Sequence, residues 1–214
     1  MSEFLKNPEE SNAKKLSLND TFHFGCNVCG NCCRGRSAKN DATGIFLSGP
    51  DVKRMAKELD CSINETIEKY LTVTFDKDLK LYVCKLKIKY SGCCSLLRKG
   101  KCLVYHARPR TCAIYPLARG ILFYQHKNFV EYANDEYYIN DSDFGYACDL
   151  SDKAPEYTIE SWLNKNNVPI EDIEDRDWHK TLMEFSMNMP KFQSESELMD
   201  IFSQLYMNIM IINN

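Results

Sequence analysis

The sequence predicts an α+β fold of short strands and helices, and three observations carry that reading. Helix-start signals at Ser48-Gly-Pro-Asp51 and Ser62-Ile-Asn-Glu65 open two helices in close succession. Several β-prone runs follow, each too short for a large sheet. An apolar stripe at helical spacing then closes the chain. The 214 residues are 44% hydrophobic and 27% charged, which is the balance of a packed globular protein and excludes a disordered or fibrous one.

Residues 1 to about 20 are polar and without clear periodicity, which predicts a loose tail. The segment from Gly25 to Gly35 is rich in Gly, Asn and Cys, a composition that lets the backbone turn tightly. Gly44-Ile-Phe-Leu47 is a short apolar run. On the first helix Pro50 suits the first turn and Val52, Met55, Ala56 and Leu59 keep one face. On the second, Ile67, Tyr70 and Leu71 do the same. Thr72 to Phe75 and Leu79 to Val83 predict a hairpin turning at Asp76-Lys-Asp78. Ile121 to Tyr124, Phe129 to Tyr132 and Tyr137 to Ile139 predict further short strands, the last two broken by Asn134-Asp135. Beyond Pro155 the composition becomes acidic and helical. Ser194-Glu-Ser-Glu197 is a capping box for a final helix, with Leu198, Ile201, Phe202, Leu205, Tyr206, Ile209 and Met210 on its apolar face. The reading is thus a tail over 1–20, a domain over 21–150 and an acidic helical segment over 151–214 packed on it.

Charge is distributed unevenly. Residues 1 to 79 carry 11 Lys/Arg against 12 Asp/Glu, residues 80 to 130 carry 11 against none, and residues 131 to 214 carry 5 against 18, for a net charge of −3. A basic block is either an anion or nucleic-acid contact surface or a local counterweight to thiolates and to the acidic C-terminal segment, and the second reading is preferred. The opening residues lack a basic stretch followed by an apolar one, and no run approaches 18 apolar residues, so the expected location is cytoplasmic and unanchored.

Eleven cysteines do not suit a disulfide framework there, because cytosolic thiols stay reduced and an odd number cannot close into intrachain pairs. They fall into two groups. The first is Cys26-x2-Cys29-x2-Cys32-Cys33, in which thiolates two residues apart can converge on one ion across a tight turn. The second contains Cys93-Cys94, Cys102 and Cys112, with Arg98-Lys-Gly-Lys101 turning the chain so that Cys94 and Cys102 can meet, and Cys148 follows after a gap. The C-x2-C-x2-C run and the Cys-x3-Pro step at Cys112 favour iron with sulfide in a 4Fe-4S cluster, while complete thiolate sites also suit zinc. His23 and His106 lie near the groups and read as solvated loop histidines.

These residues resemble the YkgJ-type cysteine-cluster family, whose signature is CxxCxxCC and whose members are described as zinc- or iron-chelating. The resemblance runs through Cys26, Cys29, Cys32 and Cys33, then Cys94, Cys102-Leu-Val-Tyr105, Arg108-Pro109, Cys112 and Tyr115-Pro116, with Cys148 as the late cysteine. It implies eight candidate ligands: Cys26, Cys29, Cys32, Cys33, Cys94, Cys102, Cys112 and Cys148. They suffice for two four-thiolate sites and equally for one cluster with spectator thiols. The family's arginine after the cysteine that Cys112 resembles is replaced by Ala113, and its glycine near Cys148 is missing. Cys61, Cys84 and Cys93 fall outside the pattern and read as small apolar residues.

The functional expectation is therefore a small, irregular, metal-stapled domain whose partners are a metal ion or cluster. Two other classes stay open. A more distant likeness to flagellin lysine N-methylases suggests a protein-lysine methylase, although no G-x-G-x-x-G or P-loop occurs. The basic block, interleaved with Tyr105, Tyr115, Phe123 and Tyr124, suggests a zinc-stabilised nucleic-acid-binding module, against which the pI near 5.9 weighs.

Overall fold

The computed structural model describes residues 13–26, 28, 30–34, 45–139, 151–189 and 193–207. Its secondary structure is mixed: short strands in small sheets, with helices between and after them. Among the described residues no helix is long and apolar enough to cross a membrane.

The predicted helix starts are formed. α1 (Gly49–Glu58) has a complete capping box between Ser48 and Asp51, and it buries Val52, Met55 and Ala56. α2 (Ile63–Tyr70) is capped by Ser62 and Glu65 and ends one residue earlier than its apolar pattern suggests, because Leu71 turns into a strand. That strand, β4 (Leu71–Asp76), pairs in antiparallel register with β5 (Leu81–Leu86), and β3 (Phe46–Leu47) covers the other side of β5. The burial pattern of β5 has only Tyr82 and Lys85 partly open, as expected of a central strand packed on both faces.

A second sheet has the order β1-β9-β8, built from β1 (Lys14–Leu16), β8 (Leu117–Gln125) and β9 (Val130–Ile139). Two expectations change here. Residues 14–16 lie in the stretch read as a loose tail, yet they pair with Ile139 to Tyr137 and bury Leu16. Asn134-Asp135 was expected to break a strand, but β9 runs through it. The register shifts at Leu122/Phe123, so that Ala133 is the extra residue of a bulge. Asp135 is tolerated in the strand because the Arg119 guanidinium meets it at 2.6 Å, both side chains being buried.

The C-terminal segment is interleaved with the rest of the fold. β10 (Glu156–Thr158) pairs with β2 (Thr21–His23), and α4 (Ile159–Lys165) buries Ile159, Trp162 and Leu163 in a core with Phe22, Phe24, Ile114 and Leu117. α5 (Ile173–Asn188) and α6 (Glu195–Tyr206) supply Trp178, Leu182, Phe202, Leu205 and Tyr206 to a larger core with β5 and α1. Ser194 and Glu197 form the expected capping box of α6. Ile209 and Met210 of its predicted stripe lie outside the described residues. The fully buried Tyr206 hydroxyl donates to the Leu47 carbonyl at 3.0 Å and accepts from the Cys84 N–H at 3.1 Å, which ties α6 to β3 and β5.

Candidate metal centre

The first cysteine group starts where β2 ends. Phe24 anchors it: the side chain is buried against Tyr115 and Trp162, and its N–H donates to the Pro155 carbonyl at 3.0 Å. Beyond that anchor the backbone turns back on itself. Val28 sits at φ 52 and Gly30 at φ 72, and the Cys33 N–H donates to the Gly30 carbonyl at 3.0 Å to close a single 3-10 turn over Asn31–Cys33. A left-handed conformation is costly for a β-branched residue such as Val28, so this loop stores backbone strain of the kind found at functional sites. At Gly30 a Cβ would lie 3.2 Å from the Gly100 carbonyl oxygen and 3.1 Å from Leu97 Cδ1, so only glycine fits there without displacement.

The second group folds against the first. The short hairpin of β6 (Leu97–Arg98) and β7 (Lys101–Cys102) turns through Lys99 and Gly100, both at positive φ, as a two-residue hairpin turn requires. Cys94 is buried, and its N–H donates to the Cys33 carbonyl at 2.8 Å, a direct backbone link between the two cysteine groups. Cys112 lies in α3 (Arg110–Ile114), whose first turn is closed by the Cys112 and Ala113 N–H groups, each donating to Pro109 O at 2.8 Å. Ala113, where the resembled family has an arginine beside its cysteine, points into the smaller core.

Cys33, Cys102 and Cys112 pack against the core cluster that contains Cys94, and the Cys32 and Cys33 sulfurs lie 3.9 Å apart. Adjacent residues in an extended chain would point apart; the 3-10 turn brings these two together. The thiols feel one another. Interaction with Cys32, then burial, then the proximity of Cys112 and Cys94 push the Cys33 thiol far up from its ordinary range. Burial raises the Cys102 thiol, with Cys94 and Cys32 adding to the effect and the Val104 backbone and Arg108 opposing it. Crowded thiols with raised pKa values remain protonated, and a bound dication reverses that preference because it stabilises each thiolate it touches. The donors are soft sulfurs set against a core that includes Leu96 and Val104, a combination suited to zinc or iron. The five thiols are neighbours and not a closed chelate: among the described residues no three Cys, His, Asp or Glu side chains stand ready to hold an ion.

Of the other predicted ligands, Cys26 is exposed just after β2, and Cys29 and Cys148 lie outside the described residues. Cys84 is buried in β5 and its thiol is pushed up by burial, in keeping with a packing role. Cys61 follows α1 with its thiol directed at the Leu59 carbonyl. His23 is engaged by the Ala154 carbonyl at 2.9 Å, while His106 is exposed beside Tyr105.

The basic block divides. Arg108, Arg110 and Arg119 reach Asn166, Asp172 and Asp135 respectively, and the Arg119 guanidinium also lies 3.7 Å from Asp175. Lys87, Arg98, Lys99 and Lys101 are exposed around the β6–β7 hairpin. Sequence reading missed one contact beside the thiols: Asp51 of the α1 capping box also accepts from the Arg110 N–H at 2.9 Å, two residues before Cys112. The box is visible in sequence; its second, long-range partner carries no local signal.

A family model, CxxCxxCC, described as "Putative zinc- or iron-chelating domain", matches residues 25–143. Neither the curated proteins nor the solved structures contain a match to the chain.

Proposed function

The chain belongs to the CxxCxxCC family of zinc- or iron-chelating domains, and on that premise we propose that it holds an iron–sulfur cluster of the 4Fe-4S type, with zinc as the alternative occupant. The ligands are drawn from Cys26, Cys29, Cys32, Cys33, Cys94, Cys102, Cys112 and Cys148. The observation that carries this reading is the gathering of Cys32, Cys33, Cys94, Cys102 and Cys112 from two groups far apart in sequence. A cluster would supply one-electron exchange there, whereas zinc would supply folding energy alone.

The residues around the thiols do the rest. The Gly30 turn and the Gly100 hairpin press two loops together, the Cys94 N–H fixes one cysteine group against the other, and the buried Leu96 and Val104 exclude water from the inner side. Preference for the cluster over zinc rests on the C-x2-C-x2-C spacing of Cys26, Cys29 and Cys32. The test is bound metal per chain in single Cys→Ser variants. Cys102→Ser and Cys29→Ser should lose metal, and Cys61→Ser should retain it; equal retention by all three would overturn the ligand assignment.

A further inference from the structure

We infer that Asp51 and Asp172 are positioning residues for the metal centre: by holding Arg110 they hold α3 so that Cys112 faces the other thiols. This rests on the proposal that Cys112 is a ligand. α3 spans five residues, too few to be stable alone, and its N-cap, Pro109, offers no side-chain acceptor. Its first turn is held from outside by two buried carboxylates. Asp51 Oδ1 accepts the Arg110 backbone N–H at 2.9 Å, and Asp172 accepts from Arg110 Nε. Both carboxylates are 3% exposed. Each belongs to a rigid element, Asp51 to the first turn of α1 and Asp172 to the N-cap of α5.

These anchors come from two neighbouring helices, joined by the approach of Lys53 and Arg54 of α1 to Glu174 of α5. α1 contributes Val52 and Met55 to the core that contains Cys94, and α5 contributes Trp178 and Leu182 to the same core. Asp51 is itself fixed by the Ser48 N–H and by Arg54. A second brace lies just upstream, where the Arg108 guanidinium stacks on Tyr105 at 4.2 Å and donates to Asn166 Oδ1 at 3.0 Å. A carboxylate that accepts from a backbone N–H in a dry site forms a charge-assisted bond, stronger and more directional than a neutral one. Beside the packing of Cys112 on the core, its position relative to Cys33 and Cys94 thus depends on carboxylates outside the cysteine groups, which gives the acidic C-terminal segment a role at the metal centre.

One pair of variants isolates the Asp51 contact. Arg110→Ala removes the guanidinium and keeps the N–H, while Arg110→Pro removes both. Proline suits this position, since it is the first residue of a helix and Pro109 already has ψ 144. Protein purified with its native metal is dialysed against EDTA, and the alkylation of each cysteine by iodoacetamide is followed by peptide mass spectrometry. Relative to Arg110→Ala, Arg110→Pro should release metal and expose Cys112 about tenfold faster, with Cys33 slower to react than Cys112. Val130→Ala hollows a fully buried position at the end of the β8–β9 hairpin away from α3; it should lower thermal stability and leave metal release at the wild-type rate. Should Arg110→Pro not fold, Asp172→Asn serves the same test and should also speed Cys112 labelling relative to wild type. Equal release by the two Arg110 variants, or release from Val130→Ala as fast as from Arg110→Pro, would overturn the inference while leaving the ligand proposal standing. Wild-type protein without metal would overturn both.

Discussion

A glycine-to-alanine series tests how closely the Cys26–Cys33 loop is pressed onto the β6–β7 hairpin. Gly120 has ordinary φ, and a Cβ there would lie 3.8 Å from Tyr138, a normal contact. Gly120→Ala should therefore be neutral, or stabilising by about 0.5 kcal/mol through the less flexible unfolded chain. Gly100 sits at φ +77 with open space around its Cβ position, the nearest atom being Arg34 Nη2 at 3.9 Å. Its replacement incurs left-handed strain of about 1–2 kcal/mol, less the unfolded-state gain, for a net loss of about 1 kcal/mol. Gly30, at φ +72, adds crowding to the same strain: Leu97 can rotate away, but the Gly100 carbonyl is backbone and cannot. Overpacking of this kind adds about 1–2 kcal/mol, which brings Gly30→Ala to a loss of about 2–3 kcal/mol. For a chain of this length each kcal/mol lowers Tm by about 2–4 °C, so the expected drop is roughly 4–12 °C. Thermal unfolding followed by circular dichroism on metal-loaded protein provides the readout, with metal content measured on the same samples. Gly30→Ala melting within a degree of wild type, or above Gly100→Ala, would refute the close approach of the two loops.

Three further outcomes follow from the same structure. Tyr206→Phe strands the Cys84 N–H and the Leu47 carbonyl in the core, and denaturant unfolding should show a loss of about 2 kcal/mol with no change in bound metal. Metal loading should release protons, because thiols held protonated by one another and by burial must ionise to bind; affinity therefore falls as pH is lowered, and a pH-indicator titration that detects no released protons would contradict this. Stripping the metal should open the loops around Gly30 and Gly100 to proteolysis, and identical cleavage of the loaded and stripped forms would show that the centre does not staple the fold.

What the sequence discloses is largely what depends on neighbours along the chain. The capping boxes at Ser48, Ser62 and Ser194 involve residues three apart, and the stripe of α6 repeats every turn; both are legible without any tertiary contact. The Arg98-Lys-Gly-Lys101 turn and the grouping of the cysteines were legible for the same reason. What remained hidden depends on distant partners. Lys14–Leu16 looks like polar tail because its stabilising partner, Tyr137–Ile139, lies more than 100 residues away. Asn134-Asp135 looks like a strand break until Arg119 neutralises Asp135 on the neighbouring strand. Within the candidate site, sequence spacing predicts chelation, but the inward turn that brings Cys32 and Cys33 side by side depends on Gly30 fitting under Gly100. The carboxylates of Asp51 and Asp172 left no mark, since one looks like an ordinary helix cap and the other like one more acid in an acidic segment.

The central claim is that these cysteines hold a metal, and the most direct test is the iron, zinc and acid-labile sulfide content of the wild-type protein purified without oxygen, together with its visible spectrum. The account predicts iron and sulfide in near-equal amounts with a brown chromophore. One or two zinc ions in colourless protein would retain the metal centre and reject the cluster. Protein free of both metals that binds neither on reconstitution, yet is folded, would contradict the account.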